Sequence, residues 1–240
     1  MPRLFVTTGD LVGPRLTLAG EAHRYLTRVL RLGAGATVDL YDGRGLEVAA
    51  TIARAGSREV TLDLGERRHV ARRPTPPVTL LQGLPRAERM DLVIQKAAEL
   101  GAARVVPVRT DRSAAGQQPK QERWDKIARE AARQSGRPDL PTIAPMVGLP
   151  QAIAGIEAAA ARIVPWEEAV GAPPLARAVP AAPAAVALLI GPEGGLTSAE
   201  VTLATQAGFQ VVTLGPRILR TETAAIVALA IVQSLVGGLD

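Results

Sequence analysis

From Val78 to the C-terminus, short apolar runs alternate with stretches of helical periodicity, and this restricts the chain more than any other feature does. Val78 to Gly83, Val105 to Arg109, Ile163 to Pro165, Val186 to Ile190 and Val211 to Leu214 are predominantly apolar, as strands are when both faces of a sheet are covered. Glu88 to Leu100, Glu122 to Gln134 and about Glu222 to Val236 read as helices. Gly101 caps the first of these and Gly136 follows the second. Thr197-Ser198-Ala199-Glu200 is a capping box that opens a further helix. Alternation of this kind predicts an α/β fold, a mostly parallel sheet covered by helices.

The first third reads differently. Leu4 to Thr8, Thr37 to Asp42, Leu46 to Arg54 and Val60 to Leu64 are strand candidates, with Asp42-Gly43 as a hairpin turn. One helix interrupts them, Glu21 to Leu32. Ala22, Tyr25, Leu26, Val29 and Leu30 recur at helical spacing, and Arg24, Arg28 and Arg31 lie on the other face. Arg72-Arg73-Pro74-Thr75-Pro76-Pro77 then breaks regular structure, because proline fixes φ and lacks a donor. The expected domains are therefore 1–73 and 74–240. Residues 1–73 hold twelve arginines against eight acidic residues, whereas residues 74–240 are nearly balanced. The basic excess sits in the smaller domain, as arginine that suits bidentate phosphate contact or ordinary solvated surface equally well.

Composition excludes several chemistries. With no cysteine there is no disulfide, no cysteine zinc site and no thiol nucleophile. With two histidines, His23 and His69, neither a Ser-His-Asp site nor a multi-histidine metal site is expected. No apolar run reaches membrane-spanning length, and the N-terminus has no secretory pattern. The expected setting is the cytoplasm, without a membrane or a metal.

Open α/β sheets bind ligands beyond the carboxyl ends of their strands, and two such ends stand out. Leu188-Leu189-Ile190-Gly191-Pro192-Glu193-Gly194-Gly195 runs from a buried strand into glycines that permit close backbone approach. Leu214-Gly215-Pro216-Arg217-Ile218-Leu219-Arg220-Thr221-Glu222-Thr223 leaves a strand through Gly-Pro and enters a helix. Neither has Walker or Rossmann spacing. Taken alone, either loop is more often a plain strand–helix turn than a ligand site.

The two loops together resemble those of the SPOUT class of knotted methyltransferases. Within that class the chain is similar to the RsmE family, which methylates N3 of a uridine in bacterial 16S ribosomal RNA. The resemblance runs through Pro2-Arg3-Leu4-Phe5-Val6, His23, Val29-Leu30-Arg31, Gln95-Lys96-Ala97-Ala98-Glu99-Leu100-Gly101, Trp124, Gln134-Ser135-Gly136-Arg137 and both C-terminal loops. The family usually has Glu where this chain has Arg133, and Lys where it has Arg86 and Arg89.

The resemblance implies a PUA-like RNA-binding β-barrel over 1–73. Over 74–240 it implies a SPOUT methyltransferase domain, a trefoil-knotted parallel sheet with helices on both faces. It further implies a homodimer acting on 16S ribosomal RNA of the small subunit, with the final apolar helix (Leu229, Ile231, Val232, Leu235) in the interface. S-adenosylmethionine would lie against Val164, Pro165 and Trp166, against Leu189, Ile190, Gly191, Pro192, Glu193, Gly194 and Gly195, and against Leu214, Gly215, Ile218, Leu219, Arg220 and Thr223. RNA contacts fall to Arg3, His23, Arg24, Arg28, Arg31, Arg112 and Arg137. Arg220 would stabilise charge on uracil oxygens, and Glu193 or Glu222 would accept the N3 proton. Three other readings stay open: another SPOUT ribosomal or transfer RNA methyltransferase, a non-catalytic RNA-binding dimer, and a nucleotide-binding protein using Gly191 to Gly195 for phosphate.

Overall fold

The computed structural model describes residues 1–70, 75–113, 116, 118–158 and 160–239. The expected domain break at Arg72-Arg73-Pro74 falls outside the described residues. The chain forms two compact units. One takes in the described residues of Met1–Arg72 with Ala132–Leu140, the other those of Arg73–Ala131 with Pro141–Asp240.

The first unit is built on strands β1 (Arg3–Phe5), β2 (Arg15–Ala19), β3 (Thr37–Tyr41), β4 (Leu46–Ala55) and β5 (Glu59–His69). They form one sheet in the order β1-β3-β4-β5-β2. Only the β1–β3 pairing is parallel. Irregularities at Val48/Ala50 and Ile52/Arg54 bend the β4–β5 ribbon, so that Leu4, Leu16, Val38, Leu40, Val48, Ile52, Val60 and Leu62 gather in one core. At the β3–β4 turn the buried Asp42 carboxylate accepts hydrogen bonds from the N–H groups of Arg44 (2.8 Å) and Leu46 (3.0 Å) and from the Thr8 hydroxyl (2.9 Å). Strand β2 was not anticipated: Leu16 and Leu18 are its only strong apolar residues.

The helix expected over Glu21 to Leu32 is α1 (Gly20–Arg24) followed directly by a π-helical turn over Tyr25–Val29. The N–H of Leu30 reaches back five residues to the Tyr25 carbonyl, at 2.9 Å. The wider turn alters the helical phase, so Leu26 is buried while Val29, expected on the apolar face, is largely exposed. Arg24, Arg28 and Arg31 are exposed, as their spacing predicts.

The second unit begins with β6 (Val78–Gly83), α2 (Ala87–Glu99), β7 (Arg104–Arg109), α3 (Gln121–Ser135), β8 (Thr142–Ile143), β9 (Val147–Gly148) and α4 (Leu149–Ala154). It continues with β10 (Ala160–Pro165), α5 (Leu175–Ala178), β11 (Ala185–Ile190), α6 (Ser198–Gln206), β12 (Gln210–Val212) and α7 (Thr221–Leu235). The sheet runs β12-β10-β11-β6-β7-β8, with β9 also on β7, and every pairing is parallel. Successive strand residues serve opposite faces. Leu80, Val105, Ile163 and Leu188 pack with residues of α2, α3 and α7, while Leu81, Val106, Val164 and Leu189 pack with residues of α4 and α6. The capping box stands as read, with the Thr197 hydroxyl accepting from the Glu200 N–H. In α7, Leu229 and Val232 are buried in the chain's own core, which corrects the expectation that they face a partner. Among the described residues no helix is long and apolar enough to cross a membrane.

Candidate active site

Because the second sheet is wholly parallel, its carboxyl ends share one edge. Pro165 of β10 pairs with Val212 of β12, Ile163 with Leu188 of β11, and Ile190 of β11 with Gln82 of β6. Three loops leave this edge side by side: the segment from Trp166, the segment Gly191–Leu196, and the segment Thr213–Arg220. Between them lie two adjoining recesses of about 500 and 740 Å³, counted to their open mouths. Both are bounded by Pro165, Glu167, Ile218, Leu219 and Ala224. The first adds Trp166 and Thr213–Arg217. The second adds Arg89, Ile190–Glu193, Gly195, Arg220 and Thr221.

Most of the residues expected at a ligand site therefore converge here. Val164 and Leu189 do not line the recesses, because their side chains point into the sheet's lower core. Thr223 and Gly194 do not line them either. A Cβ on Gly194 would meet the Arg112 side chain at 3.0 Å, and the Gly194 carbonyl accepts from Arg112 Nη1 at 2.8 Å. Gly195 has φ +71°, and a Cβ there would collide with the Glu167 carboxylate. Gly215 has φ +111° in open space. Both positions demand glycine for conformation.

The charged groups at the mouth fall into two sets. Arg89 Nη1 stands 3.6 Å from Glu193 Oε1 and 3.8 Å from Glu222 Oε2. Glu193 Oε1 also accepts from the Arg86 N–H at 2.9 Å. Glu222 Oε2 is buried without a hydrogen-bond donor. Arg220 is exposed, and its guanidinium has no ion-pair or hydrogen-bond partner among the described residues. A plain salt bridge between Arg220 and Glu222 is thus absent; Glu222 turns to Arg89 instead. The indole N–H of Trp166 is buried and has no acceptor among the described residues.

Beneath the loops lies a buried polar knot. Gln82 Nε2 donates to the Thr221 hydroxyl (2.9 Å), to the Gly83 carbonyl (2.9 Å) and more weakly to the Gly191 carbonyl (3.3 Å). The Thr221 hydroxyl donates to the Gly191 carbonyl at 2.6 Å. Sequence reasoning missed Gln82, Arg89, Glu167 and Thr221. A signal existed for Gln82, which is polar within an otherwise apolar strand, and for Glu167, which follows the β10 strand end.

The residues expected at RNA divide sharply. Arg24, Arg28, Arg31 and Arg112 are exposed. His23 is buried, its Nε2 2.9 Å from the Gly56 carbonyl oxygen. Arg137 is only 9% exposed and pairs with Asp139 through Nε at 2.8 Å. Arg3 pairs with Glu47, donates to the Arg137 carbonyl and lies over the Tyr41 ring at 4.6 Å. These three side chains hold the first unit together rather than facing solvent.

Residues 72–233 match the family model described as an RNA methyltransferase domain, and residues 18–65 match an RNA methyltransferase PUA domain. The chain is 31% identical to ribosomal RNA small subunit methyltransferase E of Bacillus subtilis, across 92% of this chain and 90% of the relative. It is 35% identical to the protein of the same name from Synechocystis, across 97% and 77%. Its fold superposes on ribosomal RNA small subunit methyltransferase E of Neisseria gonorrhoeae, solved with S-adenosylmethionine bound, with a TM-score of 0.89 and 31% identity over 98% of each chain. A Legionella pneumophila protein, also solved with this cofactor, gives a TM-score of 0.86 at 33% identity over 97% of each chain.

Proposed function

Since the chain belongs to the ribosomal RNA small subunit methyltransferase E family, we propose that it transfers the methyl group of S-adenosylmethionine to N3 of a uridine in 16S ribosomal RNA. The observation that carries this reading is the recess where three strand-end loops meet an exposed arginine without a partner.

The recess fits the cofactor. Pro165, Leu214, Ile218, Leu219 and Ala224 offer apolar walls, the buried Trp166 N–H is a donor in want of an acceptor, and Glu167 brings a carboxylate to both recesses. Pro165–Glu167, Ile190–Gly195 and Leu214–Arg220 would hold it. When bound, it supplies an electrophilic methyl group on a positively charged sulfur.

The chain's own groups then act on the acceptor base. Uracil N3 carries a proton and lies on the pairing edge, so the base must be unpaired to enter. Arg220 donates its planar fork to the uracil oxygens on which negative charge develops. Glu193, on the recess wall, accepts the N3 proton directly or through water, while Arg89 holds it beside Glu222. In the first unit, Arg24, Arg28 and Arg31 meet RNA phosphates, and Arg112 does so in the second.

The active form is a homodimer acting on the small subunit in the cytoplasm. Supporting this, Val227, Ala230, Ile231 and Leu235 form an incompletely covered apolar strip along α7. The test is to supply methyl-labelled cofactor with 16S ribosomal RNA or small subunits and to digest the product to nucleosides. Label in 3-methyluridine is expected; label only in a ribose or another base contradicts the reading.

A further inference from the structure

Gln82 lies below the recess and lines neither pocket, while Thr221, its partner, forms part of the wall of the second recess. Gln82 is fully buried and Thr221 nearly so. Around Gln82 Nε2 stand three acceptors, while its Oε1 is buried without a donor. Exchanging the amide atoms would set an oxygen against two carbonyls, so the orientation is determined. A buried glutamine that leaves its oxygen unsatisfied incurs a desolvation penalty, so its N–H groups are the part the fold uses.

One of those N–H groups donates to the Thr221 hydroxyl, which in turn donates to the Gly191 carbonyl oxygen, and Gln82 Nε2 makes a weaker contact of its own to that oxygen. Gly191 opens the loop on one side of the recess. Thr221 is the first residue of α7, and Arg220 is its N-cap. One hydroxyl therefore ties the Gly191 loop to the backbone that carries Arg220. We propose that Gln82 and Thr221 are positioning residues that set the spacing between the cofactor-side Gly191 loop and the acceptor-side Arg220. This rests on the methyl-transfer reading above. Bringing two reactants together is sensitive to displacements near 1 Å, so a slackened seat slows transfer without removing any reacting group.

The Ala224 N–H donates to the Arg220 carbonyl at 2.8 Å, so its hydrogen exchange reports on the seat of Arg220 in the chain without cofactor. Thr221→Val keeps the side-chain volume and removes the hydroxyl. It should speed exchange at Ala224 by about tenfold or more relative to Val232. Under saturating RNA and cofactor it should slow single-turnover transfer by about 10–100-fold, with a smaller change in cofactor affinity. Thr221→Ser should restore both readouts. Gln82→Leu, at a residue outside the recess, should move both in the same direction as Thr221→Val. Wild-type exchange at Ala224 in Thr221→Val overturns the proposal, as does a Thr221→Ser variant as impaired as Thr221→Val. If the wild-type chain methylates no uridine, the methyl-transfer reading fails, while the exchange comparison still decides whether the pair seats Arg220.

Discussion

Arg220 stands exposed at the recess mouth, while Glu222, two residues on, faces Arg89. An arginine spent on neither neighbour is available to the acceptor base. Arg220→Ala should leave cofactor affinity nearly intact and lower single-turnover methylation by about 10²-fold or more. Arg220→Lys should recover only part, because an ammonium keeps the charge and loses the fork. Transfer at the wild-type rate in Arg220→Ala, with RNA and cofactor saturating, would exclude the role. A second residue sets an acid limit on the first unit. Burial alone raises the pKa of the Asp42 carboxyl, but hydrogen bonds from the Arg44 N–H, the Thr8 hydroxyl and the Leu46 N–H, with the Arg44 charge, outweigh it and hold the group below its ordinary value. A folded pKa below the unfolded one, about 3.9, stabilises the fold above that pH and ceases to do so as pH falls through the folded value. Asp42→Asn should lower stability at neutral pH by about 1–3 kcal/mol. Its denaturant midpoint should also depend less on pH below about 4 than the wild type's; parallel acid profiles would contradict this.

At the scale of the element, the helix Gly20–Val29 presents Arg24 and Arg28, with Arg31 just beyond it at φ +54°. If the three meet phosphates, the triple alanine variant should bind RNA more weakly. Each lost contact should flatten the slope of log affinity against log salt by roughly 0.7–0.9. An unchanged slope in filter binding would make them ordinary surface. The same element shows where sequence reading stops. Its existence and its basic face follow from spacing, but the π turn does not, since one extra residue per turn leaves the apolar pattern nearly intact and shows only in the exposure of Val29. Strands β6, β7, β10 and β11 were legible because burial on both faces makes them predominantly apolar. The segment 142–154 was not, because β8 and β9 have two residues each and α4 has six. The two glycine loops were legible as strand exits. Arg89 was not, because it reaches the recess from a helix that meets it only in the folded chain, and Thr221, though it stands in the second loop, gave no sign that its hydroxyl would be tied to Gly191. Arg3, His23 and Arg137 show a further limit, since sequence does not distinguish a solvated cation from a side chain that already pairs with a carboxylate or carbonyl.

The whole molecule is two units of different build, a curled antiparallel-rich sheet and a covered parallel one. Sequence reading places the change of build at residues 72–77, but not the grouping of Ala132–Leu140 with the first unit, because that association forms only in the folded chain. Assembly belongs to this scale too. With Leu229 and Val232 buried internally and Ile231 packed partly against the same core, the proposed dimer would use the 47% exposed Leu235 and the exposed part of Ile231. Ile231→Glu with Leu235→Glu should convert a dimer to a monomer in sedimentation velocity; a wild-type monomer, or a variant that stays dimeric, would place the interface elsewhere. The central claim is that the recess between Pro165–Glu167, Ile190–Gly195 and Leu214–Arg220 is where S-adenosylmethionine binds, and titration calorimetry tests it most directly. Gly215 lies at φ +111° with open space around it, so Gly215→Val acts by forcing the loop out of a conformation that a β-branched residue avoids. The wild-type chain should bind S-adenosylmethionine and not ATP, and Gly215→Val should lose that binding while its circular dichroism and thermal transition remain those of a folded protein. Undiminished affinity for S-adenosylmethionine in a folded Gly215→Val would contradict the account.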